Sequence, residues 1–239
     1  MKALIARIAG YSDISEGEFT TLTSAPVERA RHPRGATIIS AGDDPTHVFV
    51  VSKGWALRYR TLNDGRRQIV NVMLPGDCFD LQALIATKAD HSVEALTNVE
   101  LLRLKSEDFL SALKSNASLA TAFWWAAVQE ESILREQIVR LGRRSGRERL
   151  AHMLLELRRR LLQAGQEVGD TLTLPMSREV LADLLGLSSV HVSRSVSALR
   201  DAGLIRTSNG SIQLLDIEGL AEVAQFDPSY LHIASSPAA

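Results

Sequence analysis

A single cysteine, Cys78, is all the thiol chemistry this 239-residue chain has. One sulfur closes no internal disulfide, and an iron–sulfur cluster takes about four thiolates, so a disulfide scaffold and a cluster of that kind are both excluded. Charge of one sign is also missing: 27 Lys and Arg face 28 Asp and Glu, for a formal net charge of −1. With no global field to draw the chain to polyanions or membranes, a nucleic-acid site has to come from local clustering. Long hydrophobic runs are absent too. The opening MKALIARIAGYSDIS is too short and too interrupted for a secretion signal, and no stretch approaches the roughly 18 apolar residues of a membrane helix. The expectation is a soluble, cytoplasmic protein that does not engage a membrane. There is no P-loop, dinucleotide fingerprint, paired zinc ligands or nucleophile motif, so an enzyme would have only unassigned polar residues to work with. No catalytic residue, metal ligand set or cofactor is evident.

What is present divides the chain into three parts, at about 1–116, 117–142 and 143–239. From Arg31 to Leu104 the glycines at 35, 42, 54, 65 and 76 punctuate short apolar-alternating runs, as strands joined by tight turns require. Trp55, Leu57 and Tyr59 share one face of such a strand and Arg58 and Arg60 the other. Asn63-Asp64-Gly65 then turns the chain into a returning strand, Gln68 to Leu74. His47–Ser52 and Val93–Leu104 complete a β-rich domain of sandwich or barrel type.

From Ala117 the period changes. Ala120, Trp124, Ala127, Glu131, Leu134, Ile138 and Leu141 recur at alternating steps of four and three, the seam of a two-stranded coiled coil, and neither Pro nor Gly interrupts before Gly142. This predicts one long helix with a dimer interface at Trp124, Ala127, Glu131, Leu134, Ile138 and Leu141, although an amphipathic helix packed on its own domain has the same stripe. Gly142-Arg143-Arg144-Ser145-Gly146 reads as a hinge. Beyond it Arg158-Arg159-Arg160 is either a solvated helix end or a phosphate contact.

The segment LPMSREVLADLLGLSSVHVSRSVSALRDAGLI, Leu174 to Ile205, predicts two helices about a tight turn. Ser177 caps the first, Val180, Leu181, Leu184 and Leu185 form its buried stripe, and Gly186 ends it. Ser188 caps the second, whose Val192, Val196 and Leu199 point inward, and Gly203 stops it. That is the helix-turn-helix plan. The outward face of the second helix carries Ser189, Val190, Ser193 and Arg194, with no acid to repel phosphate. Arg194 suits guanine O6 and N7, the serines a base or phosphate, and Val190 a thymine methyl. Leu204 to Leu214 adds a hairpin about Asn209-Gly210, a wing. A helical pair that only packs or binds another protein would share the fold but not this face.

These residues resemble the Crp/Fnr transcription regulators, and the resemblance covers nearly the whole chain. The stretch PRGATIISAGDDPTHVFVVSKGWALRYRTLNDGRRQIVNVMLPGDCF is similar to the family's cyclic-nucleotide-binding-like β-roll. The long helix, hinge and LGLSSVHVSR are similar to its dimerisation and recognition helices. The resemblance implies an α+β fold made of a β-roll, a long dimerisation helix and a winged helix-turn-helix. It further implies a homodimer on an inverted repeat of double-stranded DNA, with RNA polymerase as a partner. By position it makes Ser193-Arg194 the base-reading pair and gives Ser177, Arg178 and Ser188 to phosphates. Val190 stands where many relatives place a cytosine-reading Glu, so their half-sites do not carry over. His191 beside it is expected to pack or touch phosphate, since no second metal ligand lies nearby.

The sensor departs from the cAMP-binding pattern. Leu81 occupies the place of the ribose-binding glutamate, and no Arg lies between Arg67 and Arg103 to pair a cyclic phosphate, which would meet Asp90 instead. An effector other than cAMP, unidentified, is the expectation, with Leu81, Gln82, Ser92 and Trp124 as its pocket. Other readings stay open. Cys78 is a redox switch or an inert core residue; His32, His47 and His91 are haem ligands or structural; Trp124-Trp125 line an apolar pocket or divide between core and interface. The chain also fits a protein with no effector, or a regulatory module that acts on another protein and not on DNA.

Overall fold

The computed structural model describes residues 2–8, 27–85, 88–169, 171–208 and 211–233. These fall into two compact units. The first takes its described residues from 1–58, 72–131 and Ile233, and the second consists of Tyr59–Asn71 and Ser132–His232.

The first unit opens with helix α1 (Lys2–Ile8). Eight short strands follow: β1 (Glu28–His32), β2 (Thr37–Ile39), β3 (His47–Lys53), β4 (Ala56–Thr61), β5 (Arg67–Met73), β6 (Cys78–Phe79), β7 (Ser92–Ala95) and β8 (Val99–Lys105). They form two four-stranded sheets, β1-β8-β3-β6 and β2-β7-β4-β5, and the tip of the β4–β5 hairpin belongs to the second unit. In the first sheet β3 lies antiparallel to β8 with His47 opposite Lys105, and a bulge falls between Val51 and Lys53. The apolar run Val93–Leu104 is two strands, not one, because the chain turns at Leu96–Asn98 and passes from one sheet to the other.

The two sheets share a core of Ile39, Val51, Met73, Phe79, Val93 and Leu101, with Phe49 stacked on Phe79 at 5.1 Å. Each such side chain contributes about 1.5–3 kcal/mol by leaving water. Below the first sheet, Val48, Val50, Leu102 and Leu104 meet α1, helix α2 (Ser106–Ser115) and the start of helix α3 (Ala117–Arg143) through Leu4, Phe109 and Phe123. Asn116 Oδ1 accepts the Leu119 N–H at 2.9 Å, so α3 starts on a capped turn. The Leu-Pro-Gly-Asp turn is a structural joint. Asp77 accepts the Leu74 N–H at 2.8 Å and pairs with buried Arg7 at 2.6 Å, while a Cβ on Gly76 would meet the Ala3 carbonyl at 2.6 Å. Arg58 departs from the expected solvent face of β4. Its guanidinium pairs with Glu130 of α3, because the helix covers the face that strand alternation assigned to water.

In the second unit the latter part of α3 is followed after Arg144 and Ser145 by helix α4 (Gly146–Gln163). The expected five-residue hinge is therefore two residues. Ser145 caps α4 in a reciprocal box with Glu148. Strand β9 (Thr171–Thr173), helices α5 (Arg178–Leu185) and α6 (Ser189–Asp201), strands β10 (Ile205–Ser208) and β11 (Ser211–Leu214) and helix α7 (Ile217–Ala224) complete it. The wing sheet has the order β10-β11-β9, its third strand unforeseen, and the Asn209-Gly210 turn lies outside the described residues. Leu150, Leu154, Leu185, Val192, Leu199 and Leu220 are at most 1 % exposed and form the core. The basic run on α4 is not uniformly solvated: Arg159 is exposed, while Arg160 is buried beside Glu156 at 3.7 Å.

Candidate nucleic-acid interface

Both helices of the pair start on serine caps. Ser177 Oγ accepts the Val180 N–H at 3.3 Å and Ser188 Oγ the His191 N–H at 3.3 Å. Each cap hydroxyl has a second side-chain partner: Ser177 donates to the Glu179 carboxylate, whose pKa it lowers, and Ser188 Oγ lies 3.1 Å from His191 Nδ1. Gly186 closes α5 at φ +61, where a side chain would strain the backbone. Three side chains then meet the carbonyls that the ending helix leaves open. Gln68 Nε2 donates to Asp183 O at 2.7 Å, Gln137 Nε2 to Leu184 O at 3.0 Å, and Arg149 Nη1 to Leu185 O at 2.8 Å. Arg67, stacked over Tyr59, adds an ion pair to Asp183 at 2.8 Å.

On α6 the buried stripe is Val192, Ser195 and Leu199, with Val196 half-buried. The opposite arc carries the predicted contact residues together. Val190 is 60 % exposed, Arg194 is exposed, and Ser189 and Ser193 are half-buried. The Ser193 hydroxyl donates to Ser189 O at 2.9 Å, so its lone pairs face outward as acceptors. Arg194 makes no ion pair or hydrogen bond among the described residues, and the first acid on the helix is Asp201 at its end. Arg178 is exposed on the first turn of α5, and Arg206 is exposed on the wing.

On α3 the predicted seam lies roughly a third of a turn from the buried stripe of Leu119, Ala122, Ala126 and Ile133. Trp124 is 74 % and Ile138 71 % exposed, Glu131 is exposed, and Ala127, Leu134 and Leu141 are half-buried. Leu141 Cδ2 would lie 3.2 Å from a Cβ on Gly186, so it leans on the turn of its own helix pair.

The predicted effector residues do not converge as expected. Leu81 packs on the core below the first sheet, Ser92 Oγ accepts the Ala41 N–H at 3.1 Å, and Gln82 reaches His91 at 3.5 Å. Trp124 is 74 % exposed in the single chain. Asp80, 2 % exposed at φ +66, has Oδ1 3.8 Å from His91 Nε2, and neither atom has a hydrogen-bond partner among the described residues. Burial raises the Asp80 carboxyl above the usual range. Nothing in the strand pattern announced this pair. Cys78 is buried in the core, and that burial pushes its thiol up, against a thiolate switch. Burial lowers His32 and His47, and no cluster of three or more metal-binding side chains occurs among the described residues. Among those residues no helix is long and apolar enough to cross a membrane.

A capped helix pair on a three-stranded wing, with an acid-free outer face and a separate antiparallel β-unit, defines a winged helix-turn-helix regulator. Known proteins agree. The family described as "Cyclic nucleotide-binding domain" matches residues 29–116, and that described as "Crp-like helix-turn-helix domain" matches residues 148–223. The nitrogen fixation regulation protein FixK of Bradyrhizobium diazoefficiens is 36 % identical over 81 % of this chain and 81 % of its own. The transcriptional activator protein FnrL of Cereibacter sphaeroides is 32 % identical over 79 % and 76 %. The structure of FixK2 from Bradyrhizobium japonicum superposes with a TM-score of 0.74 at 29 % identity, covering 82 % of this chain and 96 % of that one. The chain belongs to the Crp/Fnr family of transcription regulators. Its members are regulators and not enzymes.

Proposed function

We propose that this regulator binds double-stranded DNA as a homodimer, each α6 lying in the major groove of one half of an inverted repeat with half-site centres about 34 Å apart. The exposed, acid-free face of α6, with an unengaged Arg194 at its centre, carries the reading. Ser189, Val190, Ser193 and Arg194 meet base edges; Ser177, Arg178 and Ser188 meet phosphates. The exposed Trp124 and Ile138, with Ala127, Glu131, Leu134 and Leu141, pair α3 with its copy, since large apolar side chains on one helix face gain most by leaving water. In this reading residues 1–116 sense, 117–142 pair and 143–239 read DNA, in the cytoplasm, with RNA polymerase as the downstream partner. An effector, if one is bound, is not cAMP: Leu81 offers the ribose no carboxylate, and the stretch between Arg67 and Arg103 supplies no arginine to pair a phosphate near Gln82 and Ser92.

Selection of bound duplexes from a random pool tests the class and reports the half-site. Arg194→Ala should lose about 1–3 kcal/mol on the selected site and relax one base pair per half-site. Arg178→Ala should weaken selected and random duplexes alike. An unchanged consensus with Arg194→Ala overturns the base-contact assignment.

A further inference from the structure

Two buried polar atoms in the first unit face each other without a hydrogen bond. Asp80 follows β6 and is 2 % exposed, His91 precedes β7 and is 5 % exposed, and Asp80 Oδ1 lies 3.8 Å from His91 Nε2. Neither atom has a partner among the described residues. We propose that the pair is a one-proton latch between the 3-10 turn Leu81–Ile85 and β7: it is closed while the pair holds a proton, opens when that proton leaves, and makes the β-unit responsive to pH.

The tautomer of His91 sets the chemistry. Its Nδ1 lies 2.8 Å from Asp90 Oδ1, and because an ionised carboxylate only accepts, Nδ1 carries a hydrogen and donates it. The Gln82 amide, 3.5 Å from the same nitrogen, does not titrate. In the neutral ring Nε2 is then bare. A bare nitrogen and a carboxylate oxygen are two acceptors, and burying them face to face leaves both unsatisfied. A proton on either one makes a donor and an acceptor, which a closing of about 1 Å brings to hydrogen-bond distance.

The charged groups around the pair say which way it responds. Asp90 stands mostly in water, its side chain 76 % exposed, and Arg58 of β4 is paired with Glu130 of α3. Burial, the largest influence on Asp80, raises its carboxyl; the charges of His91 and Arg58 lower it and that of Asp90 raises it. A carboxyl raised by folding contributes stability below its ordinary value of 3.8 and loses it as pH rises through the raised value, so the latch weakens on the alkaline side. Once the shared proton has gone, Arg58 is the cation left facing Asp80, which then competes with Glu130 for it. Release of β7 is thereby felt on α3. Asp80 also holds a left-handed backbone at φ +66, which Asn adopts as readily, so Asp80→Asn removes the titration and keeps the turn.

The latch gives the sensing role proposed for residues 1–116 a signal, and rests on that reading only for its use; its chemistry is tested without DNA. Hydrogen exchange is followed at the amides of Leu81–Ile85 and Ser92–Ala95 in the full-length protein and corrected for the intrinsic effect of pH. Between about pH 5 and about pH 8.5 their protection should fall, by at most about tenfold per pH unit, the limit for one linked proton. Asp80→Asn should be flat over the same range. His91→Gln, which keeps a donor opposite Asp80 at every pH, should also stay protected, and it carries the test should Asp80→Asn not fold. Parental protection that does not change with pH overturns the latch, and so does a pH dependence that persists in both variants. A slope steeper than tenfold per unit overturns it too, by calling for a second proton. If the parent binds no duplex at low salt, the DNA-binding reading falls and the exchange result still decides the latch.

Discussion

Glu156 joins three side chains in the second unit, and removing it should expose how that unit is held. It is 4 % exposed on α4, accepts from Arg140 of α3 and from Tyr230 Oη at 2.8 Å, and forms an ion pair with Arg160 at 3.7 Å. Arg140 is 2 % exposed and Arg160 6 %, so Glu156→Ala takes a counter-charge from two buried guanidiniums and an acceptor from the tyrosine. Breaking a buried pair from one side costs about 3–5 kcal/mol. With a urea slope of about 2 kcal/mol per molar, the midpoint should fall by roughly 1.5–2.5 M. Tyr230→Phe, which removes only one hydrogen bond to a charged acceptor, should cost about 1.5–3 kcal/mol. The double variant Arg140→Met/Glu156→Leu should recover only part of the loss, because the buried charge of Arg140 leaves with its partner while Arg160 still loses Glu156. Far-ultraviolet circular dichroism in a urea series reads the midpoint. A Glu156→Ala midpoint equal to the parent's would refute the argument.

His152 gives a pH prediction. Burial, with Arg140 and Arg144 nearby, lowers its pKa from 6.5 to about 2, and Glu136, 3.1 Å away, is itself engaged by Arg144 at 2.6 Å. The unfolded chain therefore takes up a proton below 6.5 that the folded chain refuses. This contribution is complete above that pH and fades as pH falls, by roughly 2 kcal/mol at about pH 5, and His152→Phe should flatten that limb of a urea midpoint series. Replacing Leu134 and Ile138 by Asp should give monomers with weak DNA binding, and an unchanged dimer in sedimentation would remove the seam. Titration calorimetry should find no cAMP binding; micromolar binding that raises DNA affinity would show that Leu81 to Ser92 had been misread.

The helix pair was legible because everything that makes it is local. Ser177, Gly186 and Ser188 act within a turn of themselves, and the buried stripe repeats within a single helix. The β-unit was legible to the extent that glycines and alternation report it, and failed where a distant element intervened. Arg58 looked solvated because nothing near it in sequence reveals that α3 covers its strand face with Glu130. The network on Glu156 joins residues 74 apart, and the Gln68 contact to α5 spans 115. Such pairs leave no periodic trace. In the C-terminal segment Phe226 and Tyr230 enclose His152 at 5.0 and 5.9 Å. The residues beyond Ile233 lie outside the described part of the chain.

The end of α5 shows how this local motif depends on groups outside it. Cutting a helix leaves its last carbonyls without N–H partners, and burying them unpaired costs about 1–3 kcal/mol each. Here Asp183 O, Leu184 O and Leu185 O are met in turn by Gln68 from β5, Gln137 from α3 and Arg149 from α4. None of the three belongs to the helix pair they complete. The turn at Gly186 leads directly into Ser188 and the first residues of α6, so the same bonds set where Val190 and Arg194 point. A displacement of β5 or of the latter part of α3 must either carry the recognition helix with it or leave buried carbonyls open. Within this unit the orientation of the reading face is therefore tied to β5, α3 and α4 as well as to the helix pair itself.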